Sequence, residues 1–165
     1  MADTLESVVA DVSSHRQEVI SKLVAYSARD MLLFWGEDKD LILRQTKIWQ
    51  PILDWASEKI KADVQTTKSM ELPKQSEKSG SKMRVFLESL SDKELACFYI
   101  VSSKLSSFLL ATAFIRKAFD VETIMHAAFL EEEFQEEVWG AKDDVRANFD
   151  AVKKELEEIN LFLRK

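Results

Sequence analysis

The sequence predicts a mostly α-helical fold of about five to six helices, and three observations carry that prediction. Apolar residues recur at intervals of three and four along most of the chain. The 165 residues include only 3 Gly and 2 Pro, the residues that most often interrupt helices. Asp and Ser stand where helix N-caps belong, most clearly in Ser91-Asp92-Lys93-Glu94, which has the form of a capping box. At this length residues 1–165 are expected to form a single domain.

Leu5, Val8, Val9, Val12, Val19, Ile20, Leu23 and Val24 predict an amphipathic helix from Thr4 to Ala25, with a bend where Ser13 to Arg16 interrupt the stripe. The run Asp30 to Gly36 is too short for an independent helix and reads as an extended buried connector. Asp38 or Asp40 caps a helix through Leu41, Ile42, Gln45 and Trp49. Pro51 kinks it or opens the next segment, through Trp55 to Ile60. Residues 62–82 are polar and turn-rich and read as a long loop, in which Val64 to Leu72 are the candidate for a short β element. Met83 to Leu90 predict a short helix, and Leu95 to Ile115 a helix buried on most sides. Asp120 caps a helix that Gly140 ends, and Asp143 or Asp144 starts the last one.

The net charge of -6 argues against nucleic acid and anionic membrane surfaces as general partners. Lys104, at the centre of the most apolar segment, argues against membrane insertion there, since a charge at a bilayer centre costs at least ~2.5 kcal/mol. A single cysteine, Cys97, excludes an intrachain disulfide and any Cys-based metal cluster. No Gly-rich phosphate loop or nucleophile elbow is present, so neither a cofactor nor a small-molecule substrate is expected. A carboxylate-bridged metal bundle needs Glu-x-x-His on two helices. Glu122 and His126 are four apart and have no second copy, so no metal is expected either.

One stretch stands out, Leu130-Glu131-Glu132-Glu133-Phe134-Gln135-Glu136-Glu137-Val138-Trp139-Gly140. On a continuous helix from Asp120, plotted at ~100° per residue, Ile124, Ala127, Ala128, Phe134 and Val138 form a core stripe. Glu131 and Gln135 then fall inside it, one turn apart. A carboxylate there must be paired, protonated or awaiting a partner. Lys104 is a plausible counter-ion. A structural ion pair is the simpler reading of the residues alone.

Two segments resemble a known family. Arg44-Gln45…Trp49-Gln50-Pro51-Ile52-Leu53-Asp54-Trp55-Ala56 is similar to its pattern RQ…WDPLLDWA, and Leu130 to Gly140 to its LEExFQ…WG. The family is F(1) complex assembly factor 2, assembly chaperones of the ATP synthase α subunit. The resemblance implies a non-enzymatic protein that binds the unassembled α subunit and prevents its aggregation until it pairs with β. It implies Glu131 as the main client-binding residue, with Glu132 beside it and Gln135 orienting it. Trp49, Pro51, Asp54, Trp55, Phe134, Trp139 and Gly140 are then a structural motif. The family also has a β-rich N-terminal domain that nothing here resembles, so the chain corresponds to the helical C-terminal part. Location follows the family: mitochondrial matrix in a eukaryote, with the targeting segment outside this chain, or cytoplasm in a bacterium. Two rivals remain, a carboxylate-metal helical-bundle enzyme and a generic acidic helical interaction domain.

Overall fold

A computed structural model describes residues 2–165, with ten α-helices among them. They are α1 (Ala2–Ser14), α2 (Arg16–Ser27), α3 (Lys39–Ile48), α4 (Gln50–Lys59), α5 (Glu77–Glu88), α6 (Asp92–Leu105), α7 (Phe108–Ile115), α8 (Val121–Ala128), α9 (Leu130–Trp139) and α10 (Asp143–Leu163), with a 3-10 turn at Met31–Leu33. The fold is mostly α, as expected. The helices are more numerous because several long apolar segments are broken. His15 leaves helical geometry at φ -131°, ψ 32° and divides α1 from α2. Ser106 takes the left-handed conformation at φ 54° and divides the segment read as one helix from Leu95 to Ile115. Ser107 then caps α7, its hydroxyl accepting from the Leu110 N–H.

All eight residues of α7 are buried, and α6 packs along it. The stripe Phe149, Val152, Leu156, Ile159 and Phe162 seats α10 on α6 and α8. Lys104 pairs with Glu155 of α10, not with Glu131 as the sequence suggested. No helix is long and apolar enough to cross a membrane among the described residues.

The polar loop is shorter than expected. Ser76 caps α5 by accepting from the Ser79 N–H, so the helix starts at Glu77 rather than Met83. Ser79 is buried and Gly80 faces Val24 of α2, so packing on α2 supports a turn whose composition reads as loop. The β element reduces to one parallel bridge, Phe34 to Thr67. The Trp35 N–H donates to the Thr67 carbonyl at 2.8 Å and the Thr67 N–H to Leu33 at 2.7 Å.

A buried carboxylate does exist, but it belongs to Asp30, which is 1% exposed. One oxygen accepts from the Leu32 N–H at 2.9 Å and the other from the Leu109 N–H at 2.8 Å. Asp30 thereby caps the 3-10 turn and ties the connector to the first turn of α7. Burial pushes its carboxyl up to about 6, against the opposing pull of hydrogen bonds from Leu109, Ser107, Leu32 and Phe108.

Candidate functional site

The two sequence stretches that resemble the chaperone family meet in space. The first spans α3 and the start of α4, and three of its side chains reach three different elements. Gln45, fully buried, accepts the Gly36 N–H at 3.1 Å and fixes the end of the connector. Trp49, 0% exposed, donates its indole N–H to the Ala127 carbonyl at 2.8 Å. Ala127 lies in the last turn of α8, where a helix end leaves carbonyls without intrahelical donors. Arg44 pairs with Glu137 of α9 and lies over the Phe134 ring, 5.3 Å from its centroid. Pro51 sits in the first turn of α4, Asp54 accepts from the Gln50 amide at 2.8 Å, and Trp55 packs edge-on against Phe119. The first stretch therefore holds the second in position.

The second stretch is not one helix from Asp120 to Gly140. Phe129, at φ -108° and ψ 18°, separates α8 from α9. The break resets the helical phase, so a wheel drawn through it misplaces every residue beyond. Leu130 is the one buried residue of α9. Glu131 and Gln135, expected inside the core stripe, are exposed, while Val138, expected in the core, is 55% exposed. Trp139, expected as scaffold, is 81% exposed and ends the helix beside Gly140. Gly140 adopts φ 94° and donates its N–H to the Glu136 carbonyl at 2.8 Å, as a C-terminal glycine can.

The five glutamates of α9 divide by partner. Glu137 is held by Arg44, and Glu133 by the His126 ring at 2.7 Å. Glu122, the other neighbour of His126, pairs with Lys153. Glu131, Glu132 and Glu136 have no ion pair or side-chain hydrogen bond among the described residues, and neither does Gln135. Glu131 and Glu132 stand in the first turn, where the helix dipole favours negative charge. That dipole alone would favour the charged form of Glu131. Partial burial, and then the neighbouring Glu132 charge, push the Glu131 carboxyl above the usual range instead. Gln135 is one turn from Glu131 without bonding to it. Glu132, Gln135, Glu136, Trp139 and Gly140 line a cleft completed by Lys142 and Val145 at the entry to α10. The surface thus joins uncompensated carboxylates to exposed Val138 and Trp139. Among the described residues no group of three or more His, Cys, Asp or Glu side chains is gathered to hold a metal ion.

The model of the ATP12 chaperone protein family matches residues 2–57, which include the first stretch as far as Ala56. The chain is similar to the ATP12 chaperone family over those residues. The matched family is the assembly-chaperone family that the two stretches resemble. The fold extends the likeness beyond the matched residues. Atp12 from Paracoccus denitrificans is 24% identical with a TM-score of 0.87, covering 94% of this chain and 67% of its own. An aspartate-to-lysine mutant of the same protein gives a TM-score of 0.88 at the same identity and coverage. A protein from Agrobacterium tumefaciens gives a TM-score of 0.85 at 24% identity, with 94% of this chain and 59% of that one aligned. A sequence comparison with curated proteins gives no match. In this helical fold α9 lies on the surface, braced by α3.

Asp30, Gln45 and Val138 were not singled out by sequence reasoning as important positions. Asp30 carries a local signal, an Asp directly before Met-Leu-Leu, but its second partner comes from α7 and leaves no trace in spacing. Val138 becomes visible only once the break at Phe129 is known.

Proposed function

We propose that this chain is a non-enzymatic assembly chaperone for the unassembled α subunit of ATP synthase, gripping it with the exposed surface of α9 until the β subunit takes its place. The observation that carries the reading is Glu131, unpaired and partly desolvated, beside Glu132 and the exposed Trp139 on a helix that its own family motif braces. The match of residues 2–57 to the ATP12 chaperone protein family supports it, as does the resemblance of the two stretches to α-subunit chaperones. A free subunit exposes apolar interface, which is an aggregation liability. An exposed Trp flanked by carboxylates suits a patch that pairs apolar surface with Arg or Lys.

The test is light scattering of isolated α subunit diluted from denaturant, with this chain and with its Glu131→Lys variant. Wild type should suppress aggregation, and the variant should fail while keeping the wild-type circular dichroism and melting transition. Glu131→Gln, which keeps shape and removes charge, should fall between them. Wild-type protection that survives Glu131→Lys would move the binding surface away from α9. Binding of unrelated basic proteins with no preference for α subunit would instead favour a general acidic docking domain.

A further inference from the structure

A groove elsewhere on the molecule carries the opposite charge. It runs between the C-terminal end of α4, one face of α5 and the end of α7. Trp55, Ile60, Val85 and Phe86 supply apolar floor and wall, and Val85 is 62% exposed. Lys59, Lys61, Lys82 and Arg116 stand around them, and no carboxylate lines the groove. In a chain of net charge -6, four cations converging without an acid is a local reversal of sign.

Part of this has an internal explanation. Lys59 and Arg116 end α4 and α7, where cations favour the helix dipole. Arg116 also lies over the Phe86 ring at 4.9 Å and donates to the Ser89 hydroxyl at 3.2 Å. Lys59 has a loose partner in Glu58 at 3.6 Å. Lys61 has only the nearby end of α4 to account for it, and Lys82 has no such account. Lys82 lies within α5, and neither lysine has an ion-pair partner among the described residues. Lys61 stands in the left-handed region at φ 59°, directly after the Ile60 that caps α4.

We propose that this groove docks an acidic amphipathic peptide segment of a protein partner, its apolar side chain seated on Trp55, Val85 and Phe86 and its flanking carboxylates paired with Lys61 and Lys82. Charge complementarity and a concave apolar floor together select this occupant. Nucleic acid needs an extended basic surface with open aromatic faces, whereas Trp55 is half-buried and Phe86 is buried. An anionic membrane favours a projecting apolar face rather than a groove. The site is separate from α9 and stands independently of the α-subunit reading.

The test is a displayed library of random 12-residue peptides selected on the full chain and counter-selected on its Lys61→Glu/Lys82→Glu variant. Enriched sequences should carry two or more Asp or Glu beside an aromatic or aliphatic residue. A fluorescein-labelled winner should lose at least tenfold in affinity on the double variant, which keeps its melting transition, and on Val85→Asp. It should bind Glu131→Lys as it binds wild type. Failure to enrich, enrichment of neutral or basic peptides, or affinity unchanged by the double variant would overturn the proposal. So would a charge-dependent loss seen only with phosphatidylserine vesicles or a single-stranded oligonucleotide.

Discussion

Replacing Asp30 by Asn should change how stability depends on pH, with a sign that discriminates between two opposing effects. Burial raises the native carboxyl from 3.8 to about 6, while four hydrogen-bond donors oppose the rise. Below pH 3.8 both folded and unfolded chains hold this proton. Between 3.8 and about 6 only the folded chain does, so Asp30 stabilises the fold at low pH and loses that contribution as pH rises through about 6. From pH 7.5 down to 4.5, the span below about 6 is ~1.5 units, which at ~1.36 kcal/mol per unit amounts to about 2 kcal/mol. Asn cannot titrate, and its amide beside a backbone N–H adds an offset that does not vary with pH. Urea unfolding of both proteins at several pH values isolates Asp30, because the other carboxylates titrate alike in each. Wild type minus Asp30→Asn should grow by about 2 kcal/mol on going from pH 7.5 to 4.5. A difference that shrinks toward low pH would mean that the Leu32 and Leu109 N–H groups hold the carboxylate charged. A flat difference would mean that the two effects cancel.

Other substitutions follow from the same contacts. Trp49→Phe keeps most of the ring but removes the donor to the Ala127 carbonyl, and should cost about 1–2 kcal/mol in chemical unfolding. Trp139→Ala should leave stability within about 0.5 kcal/mol, as exposed positions do. The same variant should weaken α-subunit protection at least ~5-fold in a titration of light scattering, as loss of an interface tryptophan does. Ser91→Ala removes the hydroxyl half of the capping box, leaving the Ser91 N–H donating to the Glu94 carboxylate, and should lower stability by about 1 kcal/mol, read as a shift in thermal midpoint.

What the sequence disclosed is what local chemistry decides. The α10 stripe is continuous and uncapped by interruptions, so its core residues were legible one by one. The Ser91 and Asp120 caps needed only their own next turn. The important stretch of the candidate site was legible as a stretch, but its orientation was not. No Gly or Pro marks Phe129, and Trp49, which supports the break, donates to a carbonyl 78 residues away. Glu131, expected to be buried, is on the surface, and the carboxylate that is buried, Asp30, draws one donor from its neighbour Leu32 but the other from residue 109, which no local pattern reveals. The same applies to α5, whose first turn holds Ser79 and Gly80 and is stabilised by α2.

The break at Phe129 has a dynamic consequence. Detached from the phase of α8, α9 buries Leu130 and is otherwise secured by Arg44 over Phe134, with His126 holding Glu133 from α8. Helical segments with few buried contacts open locally far below the global unfolding energy. The amides of α9 should therefore exchange with solvent deuterium well before those of α7, whose every residue is enclosed. A gripping element that frays and re-forms is ordered by what it holds, and the entropy lost in that ordering weakens the hold. Under the proposed function, in which the client passes to a successor, a grip weakened in this way favours release.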